Sequence, residues 1–216
     1  MQIKFIKSTV YDAVDVPSVL DNAKVEFTPI GNVNWPEDYP YCPDAQFRMA
    51  YNNLSIFLHY KITEDTVRAI YDKDNGNVWT DSCVEFFCMP GDDGLYYNFE
   101  CNCIGPLLIG VGTGRDDRER AGSETLGCVQ RWASLGRRAF EETEGPKTWE
   151  VALIIPCAAF FKHRIRSMAG MQVKANFYKC GDGLRKPHFL SWNPIKLGKP
   201  NFHCPEFFGD VSFGSE

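Results

Sequence analysis

The fold follows from two neighbouring segments, Trp79-Thr-Asp-Ser-Cys-Val-Glu-Phe-Phe87 and Tyr96-Tyr-Asn-Phe-Glu-Cys-Asn102. In the second segment, Asn98, Glu100 and Asn102 alternate with aromatic and cysteine side chains. Because successive side chains of a β-strand point to opposite faces, this pattern predicts a strand with one apolar face and one face of amides and a carboxylate. Asn is depleted in strands, so the polar face is either a binding face for a hydroxyl-rich ligand or a polar exterior.

Strand patterns also dominate the rest of the chain. Residues 54–62 alternate, and residues 149–155 and 173–179 are rich in β-branched and aromatic side chains. Only residues 156–163 resemble a helix, and they would form one or two turns. We therefore predict an all-β fold, an antiparallel two-sheet β-sandwich of the immunoglobulin-like or jelly-roll-like kind with one or two short helices. No linker or repeat divides the sequence, so residues 1–216 are predicted to form a single domain.

The composition limits the class of partner. The 216 residues carry a formal net charge of -5, so the chain offers no electrostatic case for binding nucleic acid. The basic residues between Arg115 and Arg120 are mixed with three acidic residues, which predicts a solvated loop of low local charge. No apolar run approaches the length of a membrane span, so a membrane partner is not expected.

The amino-terminal residues lack the apolar core of a signal peptide. The sequence as it stands predicts a cytoplasmic protein, and a secreted or periplasmic one if a signal has been removed. The nine cysteines agree with a reducing compartment: their number is odd, and Cys101 and Cys103 are poorly placed to bridge each other. We expect most of the cysteines to be reduced and buried.

Candidate ligand contacts come from polar or aromatic residues in unusual settings. Glu85 interrupts an apolar strand, where a carboxylate is costly unless it is paired or hydrogen-bonded. It is either an acceptor for ligand hydroxyls or a structural carboxylate, which lies at the sheet rim or is paired with an arginine or lysine. Trp79 and Trp192 lie beside turns, where an indole can stack on a sugar ring, although each could instead pack against the core. Asn176 and Lys179 lie on another strand and could face a ligand.

The metal signals are weaker. Asp72 and Asp74 resemble the start of a calcium loop, but Cys83 stands where such a loop places its last glutamate. A polar turn is the simpler interpretation, with structural calcium as the alternative. The Cys-x-Cys pair has no second pair or histidine at zinc spacing.

Several motifs together are similar to those of carbohydrate-binding module family 9. They are residues 79–87, 97–102 and 176–182 and the Phe-Phe-Gly at 207–209, and the resemblance covers about residues 35–213. Members of this family occur attached to xylanases and as stand-alone bacterial proteins. The resemblance implies a β-sandwich of the dopamine-monooxygenase-N-terminal-like type. In that family, two tryptophans clamp a terminal sugar while a carboxylate and amides bind its hydroxyls.

Carried over residue by residue, the resemblance makes Trp79 one wall of a sugar site and Trp192 the second wall. Glu85 becomes the carboxylate, and Asn102 becomes an amide contact. Where the family pattern has a basic residue two positions before Asn102, this chain has Glu100. Some members are stabilised by calcium, which favours the calcium interpretation of the aspartate loop.

We therefore predict non-catalytic binding of a mono- or oligosaccharide in carbohydrate catabolism, with Asn98 and Glu100 among the hydrogen-bonding residues. The alternative is a glycoside-processing enzyme, an O-glycosyl hydrolase that uses Glu85 and Glu100 as its carboxyl pair. A third class is a β-sandwich that binds haem or another redox ligand, since related sandwiches do so. The sugar, its linkage and the oligomeric state do not follow from the sequence.

Overall fold

The protein is a mostly β structure built on one curled sheet. The computed structural model describes residues 1–7, 10 and 12–214, so residues 8, 9, 11, 215 and 216 of the predicted domain lie outside the described residues. Strands make up 43% of the chain and helices 12%, which confirms the predicted all-β class with few short helices. The single-domain assignment stays a prediction.

Fourteen strands pair within the described residues. Their bounds are β1 Gln2–Phe5, β2 Thr28–Pro29, β3 Asn32–Val33, β4 Asp44–Tyr51, β5 Ser55–Ala69, β6 Cys83–Met89, β7 Tyr96–Asn102, β8 Leu107–Gly112, β9 Glu119–Arg120, β10 Gln130–Ala133, β11 Phe140–Pro156, β12 Gln172–Cys180, β13 Phe189–Ser191 and β14 Gly209–Phe213. The helices are α1 Val16–Asn22 and α2 Ser123–Cys128, and the 3₁₀ turns are Ala13–Asp15, Val78–Thr80, Cys157–Ala159 and Pro205–Phe207.

Strand pairing runs without interruption through the sheet. The order is β10-β11-β5-β4-β1-β14-β12-β6-β7-β8-β9, with β2, β3 and β13 attached beside this path. Most pairs are antiparallel, but β1 pairs in parallel with β4 on one side and with β14 on the other. The short strand β1 therefore joins the half of the sheet that contains β5 to the half that contains β6.

The main core lies between these two halves. Phe47 of β4 stacks on Phe177 of β12 with 3.7 Å between ring centroids, and Phe86 of β6 stacks on Phe177 at 5.0 Å. Leu58 and Tyr60 of β5 point into the same core. The period-2 pattern of this strand thus brings its apolar side chains together, and each fully buried large side chain contributes about 1.5–3 kcal/mol.

Helix α1 covers the outer face of the half that contains β5. Pro17 occupies its first turn, where a missing backbone N–H costs nothing. Val16 and Leu20 are four residues apart and so lie on one side of the helix, where both are buried beside Phe57 of β5. The helix therefore supplies a second, smaller apolar cluster.

The positions of the helices differ from the sequence-based expectation. Residues 156–163, predicted as helical, contain only the 3₁₀ turn Cys157–Ala159, whereas α1 and α2 were not predicted. Both helices are too short to show a clear 3.6-residue period. Among the described residues, no helix has the length and apolar character needed to cross a bilayer.

All nine cysteines are free thiols. Seven of them are buried, Cys128 is partly buried and Cys42 is exposed. Burial raises the pKa of Cys83 to about 12 and that of Cys101 to about 12, because a thiolate is poorly solvated in an apolar interior. Such thiols react slowly, since the thiolate is the nucleophile.

The native protein should therefore show a single fast-reacting thiol, that of Cys42, towards a chromogenic disulfide reagent. All nine thiols should react once the chain is unfolded in denaturant without reductant. Cys42→Ser should remove the fast phase, whereas Cys88→Ser should leave it unchanged. Several native thiols that react at the same rate as Cys42 would contradict the burial described above.

Candidate functional site

The candidate site is a pocket on the outer face of β6, β7 and β8, which is the face turned away from the main core. Its cavity measures about 210 Å³. Glu85 of β6, Asn98 and Glu100 of β7 and Gly110 of β8 form its floor, and Trp79 lines it from the 3₁₀ turn before β6. The predicted polar face of residues 96–102 thus contributes to a concave site.

Two carboxyl groups face each other at the centre of this floor. Glu85 and Glu100 are directly opposite in the antiparallel register of β6 and β7, and only 3% and 5% of their surfaces are exposed. Burial, reinforced by the neighbouring charge of Glu100, raises the pKa of Glu85 well above its usual range. Burial also raises the pKa of Glu100 to about 7. Together the two groups resist the loss of both protons.

Glu100 is held from the side by an amide and a guanidinium group. Asn98 donates from Nδ2 to Glu100 Oε1 at 2.7 Å, and Arg118 in turn donates to the Asn98 amide oxygen. A Cβ atom on Gly110 would lie 2.7 Å from Asn98 Oδ1, so only glycine leaves room for this arrangement. The second carboxyl oxygen of Glu100 is buried without a partner among the described residues, and it is therefore available to a ligand.

Glu85 is held from behind by thiols. Cys180 of β12 donates from Sγ to Glu85 Oε1 at 3.1 Å, and Cys83 lies directly opposite Cys180 on β6. The two sulfur atoms and a Glu85 oxygen lie within 4.8 Å of one another. Among the described residues, this is the group of three His, Cys, Asp or Glu side chains close enough to share a metal ion. Burial holds the pKa of both thiols high, so they are protonated at neutral pH.

Aromatic side chains supply the apolar part of the pocket. Besides Trp79, Phe189 and Phe202 line it. Phe202 stacks on Tyr178 of β12 with 4.0 Å between ring centroids and an angle of 6° between the rings. Trp35 packs edge-on against Phe189 and is itself fixed by a hydrogen bond from its indole nitrogen. Trp35 thus supports one of the lining rings.

Asp81 fixes the turn that carries Trp79. It is fully buried, and its Oδ2 accepts from the backbone N–H groups of Ile70 and Tyr71 at 3.1 and 3.0 Å. Its other oxygen accepts from the Arg68 guanidinium at 3.2 Å. The aspartate of the Trp79–Glu85 motif therefore anchors the tryptophan and does not face the ligand.

Asn102 belongs to the same anchor and lies outside the pocket. Its Nδ2 donates to Asp81 Oδ2 at 3.0 Å and to the Tyr71 carbonyl at 2.8 Å. The residue is fully buried, and both amide hydrogens are used by the protein. The structure thus corrects the expectation that Asn102 lines the pocket, although the strand alternation placed it on the expected face.

Trp192, expected as the second wall, also lies outside the pocket. Its ring packs edge-on against Phe177 and Phe47 at 5.8 and 6.4 Å, on the main-core side of the sheet. A Cβ atom on Gly209 would lie only 2.7 Å from the indole, so the half-buried Trp192 packs closely on this glycine. The sequence could not distinguish this core position from a turn-borne stacking face.

Asn176 and Lys179 are likewise used within the protein. Asn176 donates to the carbonyl of Asn193 at 3.0 Å, and its oxygen accepts from the Asn193 backbone N–H at 2.9 Å. Lys179 points to the face of β12 that is opposite to that of Asn176. There its Nζ lies 2.9 Å from Glu64 Oε2 and donates to His188 Nε2 at 2.7 Å. A buried lysine needs such partners, and Lys179 does not line the pocket.

Of the two aspartates proposed as a calcium loop, Asp74 is already used by other groups of the protein. Asp74 is paired with Arg131, whose Nη2 lies 3.0 Å from Asp74 Oδ2, and it also accepts from the Leu107 backbone N–H at 2.9 Å. Asp72 is exposed. Because a guanidinium occupies the Asp74 carboxylate, a polar turn describes this segment better than a cation site.

Several pocket residues were not predicted from the sequence. Arg115, Arg118 and Arg120 line the pocket, although residues 115–120 were predicted to form a solvated loop. His203 lines it as well, with Nδ1 2.9 Å from the Tyr96 hydroxyl, and burial lowers the pKa of His203 to about 3. Further lining residues are Leu108, Asp182, Pro200 and Asn201. The unusual Asn-Phe-His-Cys motif at 201–204 was the one available signal for this side of the pocket.

The raised pKa of Glu100 makes the stability of the protein depend on pH. The native state keeps a proton that the unfolded chain, with an ordinary glutamate pKa, releases at lower pH. The stabilisation from this proton is complete when the pH is below the pKa of the glutamate in the unfolded chain. It is lost as the pH rises through the pKa of Glu100 in the native state. The free energy of unfolding should therefore fall between about pH 4.5 and 7.

Urea unfolding at stepped pH, with Glu100→Gln beside the unmodified chain, measures this effect. The glutamine mimics the protonated acid and should flatten the decline, whereas the exposed control Glu206→Gln should preserve it. A decline of equal size in the Glu100 variant would show that this carboxyl is not its source.

Known proteins resemble this chain in sequence and in fold. No curated protein matches the chain. Among solved structures, a Bacteroides uniformis protein for which carbohydrate binding has been suggested shares 50% sequence identity, covering 99% of this chain and 98% of that one at a TM-score of 0.96.

Two further structures are of a family 9 carbohydrate-binding module from Caldicellulosiruptor kristjanssonii. The glucose complex has a TM-score of 0.63 and 12% identity, covering 100% of this chain and 96% of that one. The cellotriose complex has a TM-score of 0.62 and 13% identity, covering 100% and 95%. At such low identity, the likeness concerns the fold alone. The sequence pattern of carbohydrate-binding family 9 matches residues 14–213, and the chain therefore belongs to that family.

Proposed function

We propose that the chain binds a terminal sugar or short oligosaccharide without cleaving it, as part of carbohydrate breakdown. The observation that carries this proposal is the pocket: aromatic rings beside buried carboxyl and amide groups, gathered on one outer face of the sheet. Family membership supports a saccharide as the ligand, since a family 9 module of similar fold was solved in complex with glucose and with cellotriose.

The chemistry of the pocket suits a sugar ring, which has an apolar plate of C–H groups and a rim of hydroxyls. Trp79 supplies a flat surface for the plate. The carboxyl pair Glu85 and Glu100 supplies both an acceptor and a donor, because a proton is retained between them. Asn98 completes the hydrogen-bonding set beside Glu100. Stacking would give affinity, while the directed hydrogen bonds would select the hydroxyl pattern.

The same proposal describes the curled sheet as a two-sheet β-sandwich. Its support is the packing of Phe47 against Phe177 across the main core, which brings the β4 and β12 halves face to face. In this description β1 is the strand shared by both halves. The pocket then lies on the outer surface of one sheet, where floor residues can be changed without disturbing the core.

Loss of the stacking ring should weaken sugar binding strongly. Trp79→Ala is expected to reduce affinity about tenfold or more, because burial of one large aromatic side chain contributes about 1.5–3 kcal/mol. Calorimetric titration with the best sugar from a glycan array measures the change. Circular dichroism checks that the variant stays folded.

The matched control is Trp192→Phe, since Trp192 packs on the core and lies outside the pocket. This variant should melt at a lower temperature and bind sugar with unchanged affinity. If Trp192→Phe weakened binding while Trp79→Ala did not, the pocket described here would not be the sugar site.

Glycoside hydrolysis is the second candidate, and the observation in its favour is that two carboxyl groups face each other in one pocket. Glu85→Gln separates the two functions. A binding protein should lose about 1.5–3 kcal/mol of sugar affinity, as for a hydrogen bond to a charged group, and should release no reducing sugar before or after the change. Reproducible cleavage by the unmodified chain that Glu85→Gln abolishes would establish the enzyme instead.

A further inference from the structure

The pocket contains more positive charge than a neutral sugar requires. Arg115, Arg118 and Arg120 all line it, and they come from one short segment that ends in β9. The chain as a whole has a net charge of -5, so the three arginines are not simply part of a generally basic surface. The arginines that line the pocket therefore need an explanation of their own.

Strand alternation explains how Arg118 and Arg120 face the pocket while Glu119 does not, and Arg115 lines the pocket from the turn before β9. Arg120 pairs with Gly110, a floor position, and Arg118 shares its parity. Glu119 has the opposite parity and pairs with Lys162 at 2.6 Å outside the pocket. The segment carries little net charge, but its arginines line the cavity while Glu119 points away from it.

Asp117 is also occupied elsewhere. Its carboxylate accepts from the Thr113 hydroxyl at 2.6 Å and from the Gly114 backbone N–H at 2.7 Å, which closes the turn before β9. Its charge still acts on Arg118, although the two side chains form no direct ion pair. The direct partners of Asp117 and Glu119 therefore lie outside the pocket.

The guanidinium groups are held by neutral acceptors. Arg118 donates to the carbonyl oxygens of Tyr96 and Gly112 at 3.0 and 3.1 Å and lies 4.2 Å from the Tyr96 ring centroid. Arg120 donates to the Asn75 carbonyl at 2.8 Å. Among the described residues, none of the three pocket arginines forms an ion pair with an aspartate or glutamate. No direct ion pair therefore cancels their positive charge.

The carboxyl groups of the floor offset this charge only in part. Glu85 and Glu100 face each other, and burial keeps the pKa of both raised, so the pair is not fully ionised at neutral pH. Asp182 adds one exposed carboxylate at the rim. Three guanidinium groups therefore outweigh the ionised acids, and the cavity is positive within a negative protein.

We propose that the pocket selects a saccharide bearing an anionic group, such as a uronate carboxylate or a sulfate or phosphate ester, which Arg115 and Arg120 bind at the rim. This inference rests on the proposed function and names its substrate class. A guanidinium offers paired N–H donors that match the oxygens of such a group, and Arg115 and Arg120 are exposed to solvent. The aromatic rings and floor carboxyls would bind the rest of the sugar.

Calorimetric titration with matched sugars tests this proposal. The pairs are glucose with glucuronate, galactose with galacturonate and mannose with mannuronate, which differ only in the carboxylate; glucose 6-sulfate and glucose 6-phosphate test the ester groups. At least one anionic sugar should bind about tenfold tighter than its neutral partner at low salt, as for charge-assisted hydrogen bonds. Added salt should reduce the difference, because exposed charges are screened.

Arginine variants assign the effect to the pocket. Arg115→Ala and Arg120→Ala should each lower the affinity for the anionic sugar about tenfold more than the affinity for its neutral partner. Both side chains are exposed, so the fold should tolerate these changes. The control Arg138→Ala, an exposed arginine outside the pocket, should bind both sugars as the unmodified chain does.

The two proposals fail in different ways. If neutral sugars bind as well as or better than every anionic partner, or if the arginine variants weaken both equally, the anionic preference is overturned and the arginines only compensate the floor carboxyls. The proposed function would stand in that case. If no sugar of either kind binds, the proposed function fails and this inference fails with it.

Discussion

Alternation along adjacent strands is the constraint on which both the core and the pocket depend. On β6 and β7, Phe86 and Phe99 are directly opposed on the core side, whereas Glu85 and Glu100 are directly opposed on the outer side. A slip of one residue would exchange the faces, bringing carboxyls into an aromatic core and phenyl rings into the pocket. The aromatic packing that stabilises the fold therefore also sets the spacing of the two carboxyl groups.

Such a carboxyl pair would destabilise the sheet if both groups were ionised without partners. The structure lowers this cost in three ways: retained protons, the donors Asn98 and Cys180, and the positive charge of Arg118 and Arg120 close to Glu100. The compensation is incomplete, because one Glu100 oxygen stays without a partner among the described residues. Buried polar atoms of a native protein are usually satisfied, and Glu100 lines the pocket, so this oxygen is a place where a ligand hydroxyl would complete the network.

The sequence predicted what depends on local pattern and missed what depends on distant contacts. Alternation was sufficient for the strands, for the all-β class and for Glu85, Asn98 and Glu100 on one face. It could not reveal that Asn102 would be taken up by Asp81, a contact made across a turn. Nor could the turn beside Trp192 show that its ring packs on the core. The arginines of residues 115–120 were not predicted because the segment has a low net charge. That charge does not reveal that Arg118 and Arg120 face the pocket while Glu119 points away from it.

The floor and the rim of the pocket are built differently, and this bears on how a binding protein of this fold acquires its specificity. The floor side chains stand on paired strands whose register is fixed by the core, so their positions are rigid. Most of the rim comes from connections, namely the turn that carries Trp79, the loop that carries Arg115 and residues 200–203, whereas Arg120 lies on the short strand β9. Loops tolerate substitution far better than strands do. A neutral-sugar site and an anionic-sugar site can therefore share one floor, and the rim arginines are the residues through which this chain would differ.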